Sequence, residues 1–139
     1  FFQGVAGNEI YNANRIWQES MSVPQNQTRK VLDRWTGEGT SNSIPRAVYS
    51  DPNQNVRHSN RFIEDGSYLR LKNLTLGYSL PRTLAEKAHL NRVRLYVSCQ
   101  NLFTLTNYSG FDPEVGAGGV DLGTYPVTRT VSLGLNIQF

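Results

Sequence analysis

The sequence predicts an all-β protein made of antiparallel strands that are joined by long loops. Within residues 129–139, polar and apolar residues alternate without error from Thr130 to Phe139, and they alternate nearly as regularly over residues 93–105. Successive side chains of a strand point to opposite faces, whereas a helical period of 3.6 would scatter these apolar residues around the axis. A third observation is the order of connection lengths, which is long, short, long and favours extended loops on one side of the sheet.

The last strand leaves two architectures open. Its apolar face is formed by Val131, Leu133, Leu135, Ile137 and Phe139. A strand of about 9–11 residues can cross a membrane with such a face in lipid and a polar face toward a lumen. The same pattern also fits the final strand of a soluble sandwich, in which the apolar face covers a core.

Composition excludes some function classes. The chain has 139 residues, of which 38% are hydrophobic and 18% are charged, against about 25% charged residues in a typical soluble domain. Neutral polar residues are abundant, which suits a barrel lumen or a secreted β-domain. The net charge is +3, but the 14 lysines and arginines are scattered, so we expect no nucleic-acid partner. The single cysteine, Cys99, leaves no internal disulfide.

The first part of the chain predicts a strand end followed by a long loop. Residues 1–4 (FFQG) read as the end of a strand, which indicates a piece of a longer protein, and residues 5–60 read as a long loop. In a membrane barrel whose C-terminus is periplasmic, this loop and the loop at 107–128 are extracellular and the turn between them is periplasmic. Within that loop we expect an amphipathic helix over residues 8–21, capped by Asn8, and one or two helical turns over residues 28–35. Neither a transmembrane helix nor a signal peptide is predicted.

The remaining elements alternate between strands and connections. We predict a strand over residues 61–79, with a turn or bulge at residues 64–66 and a one-residue bulge at Lys72-Asn73 that corrects the phase of the apolar residues. Residues 80–92 form a periplasmic turn with one helical turn, capped by Thr83 with Glu86 three residues on. A strand over 93–106, an extracellular loop over 107–128 and a terminal strand over 129–139 complete the chain.

No catalytic constellation is found, so we expect neither an enzyme nor a cofactor. His58 and His89 have no metal-ligand spacing and are predicted to be solvated. Asp112, Glu114 and Asp121 carry oxygen ligands of the kind calcium prefers, but their spacing matches no calcium loop and no metal is predicted. Aromatic residues instead lie near strand ends, as in the girdles of membrane barrels.

Three segments then resemble a known family. They are FIEDGSYLRLKNLTLGYSLP at residues 62–81, RLYVSCQNLFTLTNYSGFDPEV at 94–115 and VSLGLNIQF at 131–139, and VLDRW (31–35) and IPRAVYSDPN (44–53) extend the similarity upstream. Together they resemble the C-terminal end of the SusC/RagA family of TonB-linked outer-membrane transporters. The resemblance covers nearly the whole chain and favours the membrane barrel over the sandwich.

The resemblance implies the last strands of a large antiparallel transmembrane β-barrel, expected to have 22 strands, in the outer membrane of a Gram-negative bacterium. It implies import of glycans or peptides, a SusD-type lipoprotein partner, contact with outer-membrane lipid, and energy relayed by the TonB complex through parts of the parent absent here. It also implies that Gly134, Ile137 and Phe139 belong to a signal for barrel assembly.

Exposed aromatic and arginine residues of the predicted loops are the candidates for contact with substrate or the lipoprotein. They are Trp17, Trp35, Arg46, Tyr49, Phe111 and Tyr125. The alternative function is a soluble secreted carbohydrate-binding β-domain, which predicts a buried apolar face and shorter loops.

Overall fold

A computed structural model describes all residues, 1–139, and divides them into two compact units. The strand unit comprises Phe1–Gly7, Gly66–Asn107 and Pro126–Phe139, and the loop unit comprises Asn8–Asp65 and Tyr108–Tyr125. The elements in chain order are β1 Phe2–Val5, β2 Glu9–Asn12, α1 Asn14–Gln18, a 3-10 helix Arg29–Asp33, a 3-10 helix Asn60–Phe62, β3 Ile63–Asp65, β4 Tyr68–Leu71, β5 Asn73–Ser79, α2 Arg82–Lys87, β6 Arg92–Gln100, β7 Thr104–Thr106, β8 Val120–Asp121 and β9 Thr130–Gln138.

The strand unit contains two antiparallel three-stranded sheets. One has the order β5-β6-β9 and the other β1-β4-β7. β6 is the central strand of the longer sheet, and it pairs with β9 over its entire length, from Arg92–Gln138 to Gln100–Thr130. A register fixed over so many pairs prevents slippage, because a shift of one residue would move the apolar side chains of the strand to the polar face of the sheet.

A bulge separates β4 from β5 at the position that the sequence predicts. The amide nitrogens of Lys72 and Asn73 both donate to the carbonyl oxygen of Phe1, at 3.0 and 3.3 Å. Two residues opposite one are the definition of a β-bulge. Beside it Asn101 has a φ of 50°, a left-handed conformation that asparagine tolerates better than most residues, and here β6 gives way to β7.

The predicted strand over residues 61–79 is therefore divided. Residues 60–62 form a 3-10 turn, β3 belongs to the sheet of the loop unit, and only β4 and β5 belong to the strand unit. The break at Gly66-Ser67 follows the predicted Glu64-Asp65-Gly66 turn signal. The expected cap of α2 is wrong, because Pro81 occupies the N-cap position and Thr83 lies inside the helix.

The loop unit has a small sheet of order β3-β2-β8, in which β2 and β8 run parallel. The prediction of a helix over residues 8–21 is wrong for its first part, because residues 9–12 form β2 and α1 has only five residues. Ile10 and Ala13 are buried as expected, but this segment pairs with β3 and β8, whereas a short isolated helix is only marginally stable in water. No helix in the structure has the length and apolar character needed to cross a membrane.

Candidate functional site

The sheet β5-β6-β9 has one face built from apolar side chains in register. Leu74, Cys99 and Val131 form one row, Leu76, Val97 and Leu133 the next, and Tyr78, Leu95 and Leu135 the third. Most of this face is exposed, and the side chain at Leu133 is 83% accessible. The sandwich alternative predicts a buried apolar face, and the structure does not show one. Such a continuous exposed surface is characteristic of contact with lipid or another protein.

The opposite face of this sheet is polar, with few charges. Thr75, Ser98 and Ser132 form one row of it, and the next row consists of Gly77, Tyr96 and Gly134. The Tyr96 ring occupies the space above Gly134, so that a methyl group at Gly134 would overlap it. Interior positions of membrane barrels have this neutral polar character, while the lipid side is apolar.

The predicted assembly residues all lie on β9 or directly after it. Gly134 faces Tyr96, and Ile137 pairs with Val93 on the apolar face. Phe139 follows the last strand residue and is 88% exposed. The geometry therefore leaves the aromatic ring of Phe139 available to a partner, and an assembly role for these three residues stays a prediction.

A buried network of charges holds the loop unit together. Glu19, whose side chain is 1% exposed, accepts from Arg15 Nε at 2.8 Å and from Arg61 Nη2 at 2.9 Å. Arg15 also donates through Nη1 to Glu64 Oε1 at 3.1 Å. Charges that are paired and hydrogen-bonded avoid most of the penalty of burial. The network joins α1 to β3, two elements far apart in sequence.

Glu64 extends this network to the second loop segment. Its carboxylate accepts from the backbone nitrogen of Ser109 at 2.9 Å and from the Ser109 hydroxyl at 2.8 Å. Burial alone would raise the pKa of Glu64, but the bonds from Ser109 and the charge of Arg15 outweigh burial and lower the pKa below its ordinary value. Glu64 is therefore ionised at neutral pH and ties residues 108–125 to β3.

Tyr108 and Asp121 form a second buried pair in the loop unit. The Tyr108 hydroxyl donates to Asp121 Oδ2 at 2.6 Å, and Asp121 Oδ1 accepts from the amides of Gly123 and Thr124. Burial alone would raise the pKa of Asp121, but these hydrogen bonds lower it below its usual value. Burial and the neighbouring carboxylate raise the pKa of Tyr108 well above its usual value. The pair thus fixes the turn that follows β8.

Three clefts lie within the loop unit, and predicted contact residues line two of them. The first, of about 390 Å³ and termed the arginine cleft, is lined by Trp35, residues 41–46, residues 53–55, Arg57, Ser59 and Arg61. The second, of about 310 Å³, is lined by α1 residues together with Asn12, Glu19, Thr28, Lys30 and residues 109–111. Both volumes fall at the lower end of the about 300–1,000 Å³ that small-ligand sites occupy.

The six predicted contact residues are distributed unevenly. Trp35 and Arg46 come together, with the guanidinium 5.8 Å from the ring centroid, and both line the arginine cleft. Phe111 borders the second cleft. Trp17, Tyr49 and Tyr125 are exposed and line neither cleft. Contact of any of the six with substrate or partner stays a prediction.

Sequence reasoning missed the charge network and one histidine contact. His58 is not simply solvated, because its Nδ1 lies 2.6 Å from the Tyr11 hydroxyl. Arg15 and Glu19 are four residues apart, a spacing that signals a helical ion pair, but no local signal points to Arg61 or Glu64 as their partners. The carboxylates of Asp112, Glu114 and Asp121 do not form a three-ligand metal group.

An antiparallel sheet with an exposed apolar face, a neutral polar face and long structured loops is the architecture of an outer-membrane barrel wall. Comparison with individual known proteins, rather than with family models, identifies the family. No family model matches the chain. TonB-dependent receptor P3 of Formosa agariphila is 39% identical over the whole chain, and TonB-dependent receptor SusC of Bacteroides thetaiotaomicron is 40% identical over 58% of it.

Solved structures agree with this relationship. The chain superposes on a structure of the RagAB peptide transporter with a TM-score of 0.82 and 31% identity, over 99% of this chain and 15% of that one. The chain likewise spans only 14% of the P3 receptor and 8% of SusC. It belongs to the SusC/RagA family of TonB-dependent receptors.

Proposed function

We propose that the chain is the C-terminal wall segment of an outer-membrane importer that takes up glycans or peptides. The observation that carries the proposal is the β5-β6-β9 sheet, whose apolar rows are exposed while the opposite face is polar. In this arrangement Leu76, Leu133 and Leu135 face the lipid of the outer membrane, and Thr75, Ser98 and Ser132 face the lumen of a closed barrel, expected to have 22 strands.

The loop unit is then extracellular, and α2 with its flanking residues lies in the periplasmic turn. The relatives named SusC and RagAB support a partnership with a SusD-type lipoprotein and energy from the TonB complex. RagAB is described as a peptide transporter and SusC as a TonB-dependent receptor. The RagAB comparison supports peptides as a substrate class, and the resemblance to the SusC/RagA family adds glycans to the proposal.

The orientation of the sheet is tested by a pair of charged substitutions in the full-length parent. Leu133→Arg places a cation on the apolar face, where lipid exposure costs about 2–4 kcal/mol near the bilayer centre. Ser132→Arg is the matched control on the neighbouring position of the polar face. The measurement is the heat-modifiable, folded band in outer-membrane fractions, and we expect a strong loss for Leu133→Arg only. Equal bands for both variants would show that the apolar face does not meet lipid.

Import is tested in the native bacterium. Deletion of the parent gene should abolish growth on one glycan or peptide source, and removal of TonB should have the same effect. A tagged parent should co-purify with a lipoprotein. Growth without the parent on every tested source would contradict the importer proposal even if the protein is membrane-inserted.

A further inference from the structure

The arginine cleft carries positive side chains and no carboxylate. Arg46, Arg57 and Arg61 line it, and no aspartate or glutamate does. Glu19 balances much of the charge of Arg61 at 2.9 Å, but Arg46 and Arg57 are exposed and form no ion pair. The cleft therefore presents two cations to whatever enters it.

The nearby acidic side chain does not neutralise these cations. Asp51 lies in an adjacent groove that Arg57 also borders. Its carboxylate accepts from Asn55 Nδ2 at 3.0 Å and from the Val56 amide at 2.9 Å, so its hydrogen bonds hold a turn. In addition, Nε of Arg61 is buried without a hydrogen-bond partner. Arg61 lines the cleft, and a buried donor left unpaired is an exception among protein polar groups.

An aromatic side chain, Trp35, lines the cleft beside these cations. Trp35 is half-buried and its backbone nitrogen donates to the Ile44 carbonyl at 3.0 Å, which fixes its backbone, while Arg46 lies over its ring. The remaining polar lining consists of amides and hydroxyls: Ser41, Asn42, Ser43, Asn53, Gln54, Asn55 and Ser59. Amides and hydroxyls can both donate to and accept from sugar hydroxyl groups.

We propose that the arginine cleft binds an acidic glycan, a sugar chain bearing carboxylate or sulfate groups. Arg46 and Arg57 pair with the anionic group, the Trp35 ring holds the Arg46 guanidinium beside the cleft, and the amide and hydroxyl side chains bind sugar hydroxyl groups. Peptides fit less well, because no lining residue belongs to a strand that could pair with a peptide main chain, which is a common mode of peptide recognition. This inference rests on the proposed import function and narrows its substrate class.

The test uses the full-length transporter, purified in detergent with its lipoprotein, and titration calorimetry. The probes are tetragalacturonate, a sulfated galactan tetrasaccharide, a neutral galactan tetrasaccharide and tetraglutamate. The variants are Arg46→Gln and Arg57→Gln, with Arg29→Gln as the control, since Arg29 is exposed and outside the cleft. Heat-modifiable mobility shows that each variant is folded.

We expect at least one acidic glycan to bind about tenfold more tightly than the neutral one. Each cleft substitution should remove about tenfold of that affinity, because a charge-assisted hydrogen bond contributes about this much, and Arg29→Gln should retain it. Raising the salt concentration should weaken acidic-glycan binding and leave the binding of the neutral glycan unchanged. Preference for the carboxylate or the sulfate probe identifies the anionic group.

Several results would overturn the proposal. They are equal binding of the neutral glycan, equal or tighter binding of tetraglutamate, unchanged affinity in both cleft variants, and no binding of either acidic glycan. The growth experiments are independent of these titrations. A transporter that supports growth on neutral glycans or peptides but shows no charge preference leaves the import function standing and rejects only this inference.

Discussion

Tyr96 on β6 lies across Gly134 on β9, and a side chain at Gly134 would occupy the same space as the Tyr96 ring. On the other side of Tyr96, Gly77 is covered by the guanidinium of Arg94. The two glycines pair with the same tyrosine, but only one of them faces a rigid ring. The requirement for glycine at 134 is therefore steric.

Gly134→Ala should lower the yield of folded parent protein more than Gly77→Ala does. The Tyr96 ring must leave its position to admit a methyl group at 134, and overpacking of this kind costs about 1–3 kcal/mol. At position 77 the flexible end of Arg94 can move aside. The measurement is the folded band in outer-membrane fractions. Adding Tyr96→Ser to Gly134→Ala should restore the band, and a double variant as defective as Gly134→Ala would contradict the steric explanation.

Removal of Phe139 should abolish the folded, membrane-inserted band of the full-length parent. The ring is almost fully exposed and follows the last strand residue, so its deletion removes little packing within the chain. A large defect would therefore reflect recognition of the aromatic terminus during assembly. Phe139→Tyr, which keeps an aromatic ring, should retain the band. An unchanged band after deletion would remove the assembly role of this residue.

Asp121 makes the stability of the loop unit depend on acid pH. Its folded pKa lies below the ordinary value, so its contribution to stability is present above the unfolded pKa of about 3.9. The contribution is lost as pH falls through the folded pKa. The protection factors of residues 108–125 in the parent, which are exchange rates corrected for the intrinsic effect of pH, should fall between pH 5 and pH 3. Asp121→Asn should exchange faster at pH 5 and show less of this fall.

Tyr108→Phe tests the hydrogen bond between Tyr108 and Asp121 by changing its donor. It removes one donor from a buried carboxylate while keeping the ring, which should cost about 1–3 kcal/mol in local opening free energy. Hydrogen exchange of residues 120–124 measures the effect at neutral pH. Tyr125→Phe is the matched control, because Tyr125 is exposed. Equal protection in both variants would show that the Tyr108 bond contributes nothing.

Glu19→Gln should destabilise the loop unit, because it leaves Arg15 and Arg61 without their shared carboxylate. Breaking a buried ion pair costs about 3–5 kcal/mol of stability. Both arginine side chains are partly exposed, by 15% and 20%, so we expect a loss of stability near or below the lower end of this range. Glu86→Gln is the control, since its ion pair with Arg82 is exposed and such pairs contribute about 0–1 kcal/mol. Limited proteolysis of the parent should cleave residues 8–65 faster in Glu19→Gln only.

The strands could be predicted from the sequence because the alternation of apolar and polar residues that indicates a strand lies within the strand itself. The period of two over 130–138 and the phase change at Lys72-Asn73 follow directly from which residues alternate, and the structure shows both the strand and the bulge. Residues 9–12 were predicted as helix because Ile10 and Ala13 have helical spacing. Their strand conformation depends on pairing with residues 63–65 and 120–121, which no local pattern encodes.

The candidate site was less predictable for the same reason. Exposed aromatic and arginine residues can be selected by type, which found Trp35 and Arg46. The residues that surround them, such as Ser59 and Arg61, lie 24 and 26 residues after Trp35 and 13 and 15 residues after Arg46 in the sequence. The Glu19 network likewise depends on residues brought together only by folding.

The chain passes between its two units at four points, after residues 7, 65, 107 and 125. Segments of the two units therefore alternate along the chain. The register of β9 is set by its nine pairs with β6, whatever the length of the segment that connects them. Insertions, deletions and recombination within residues 8–65 or 108–125 can therefore change the loop unit while the pairing of β6 with β9 keeps its register. Selection can diversify the sequence of one unit without altering the strand pairs that build the other.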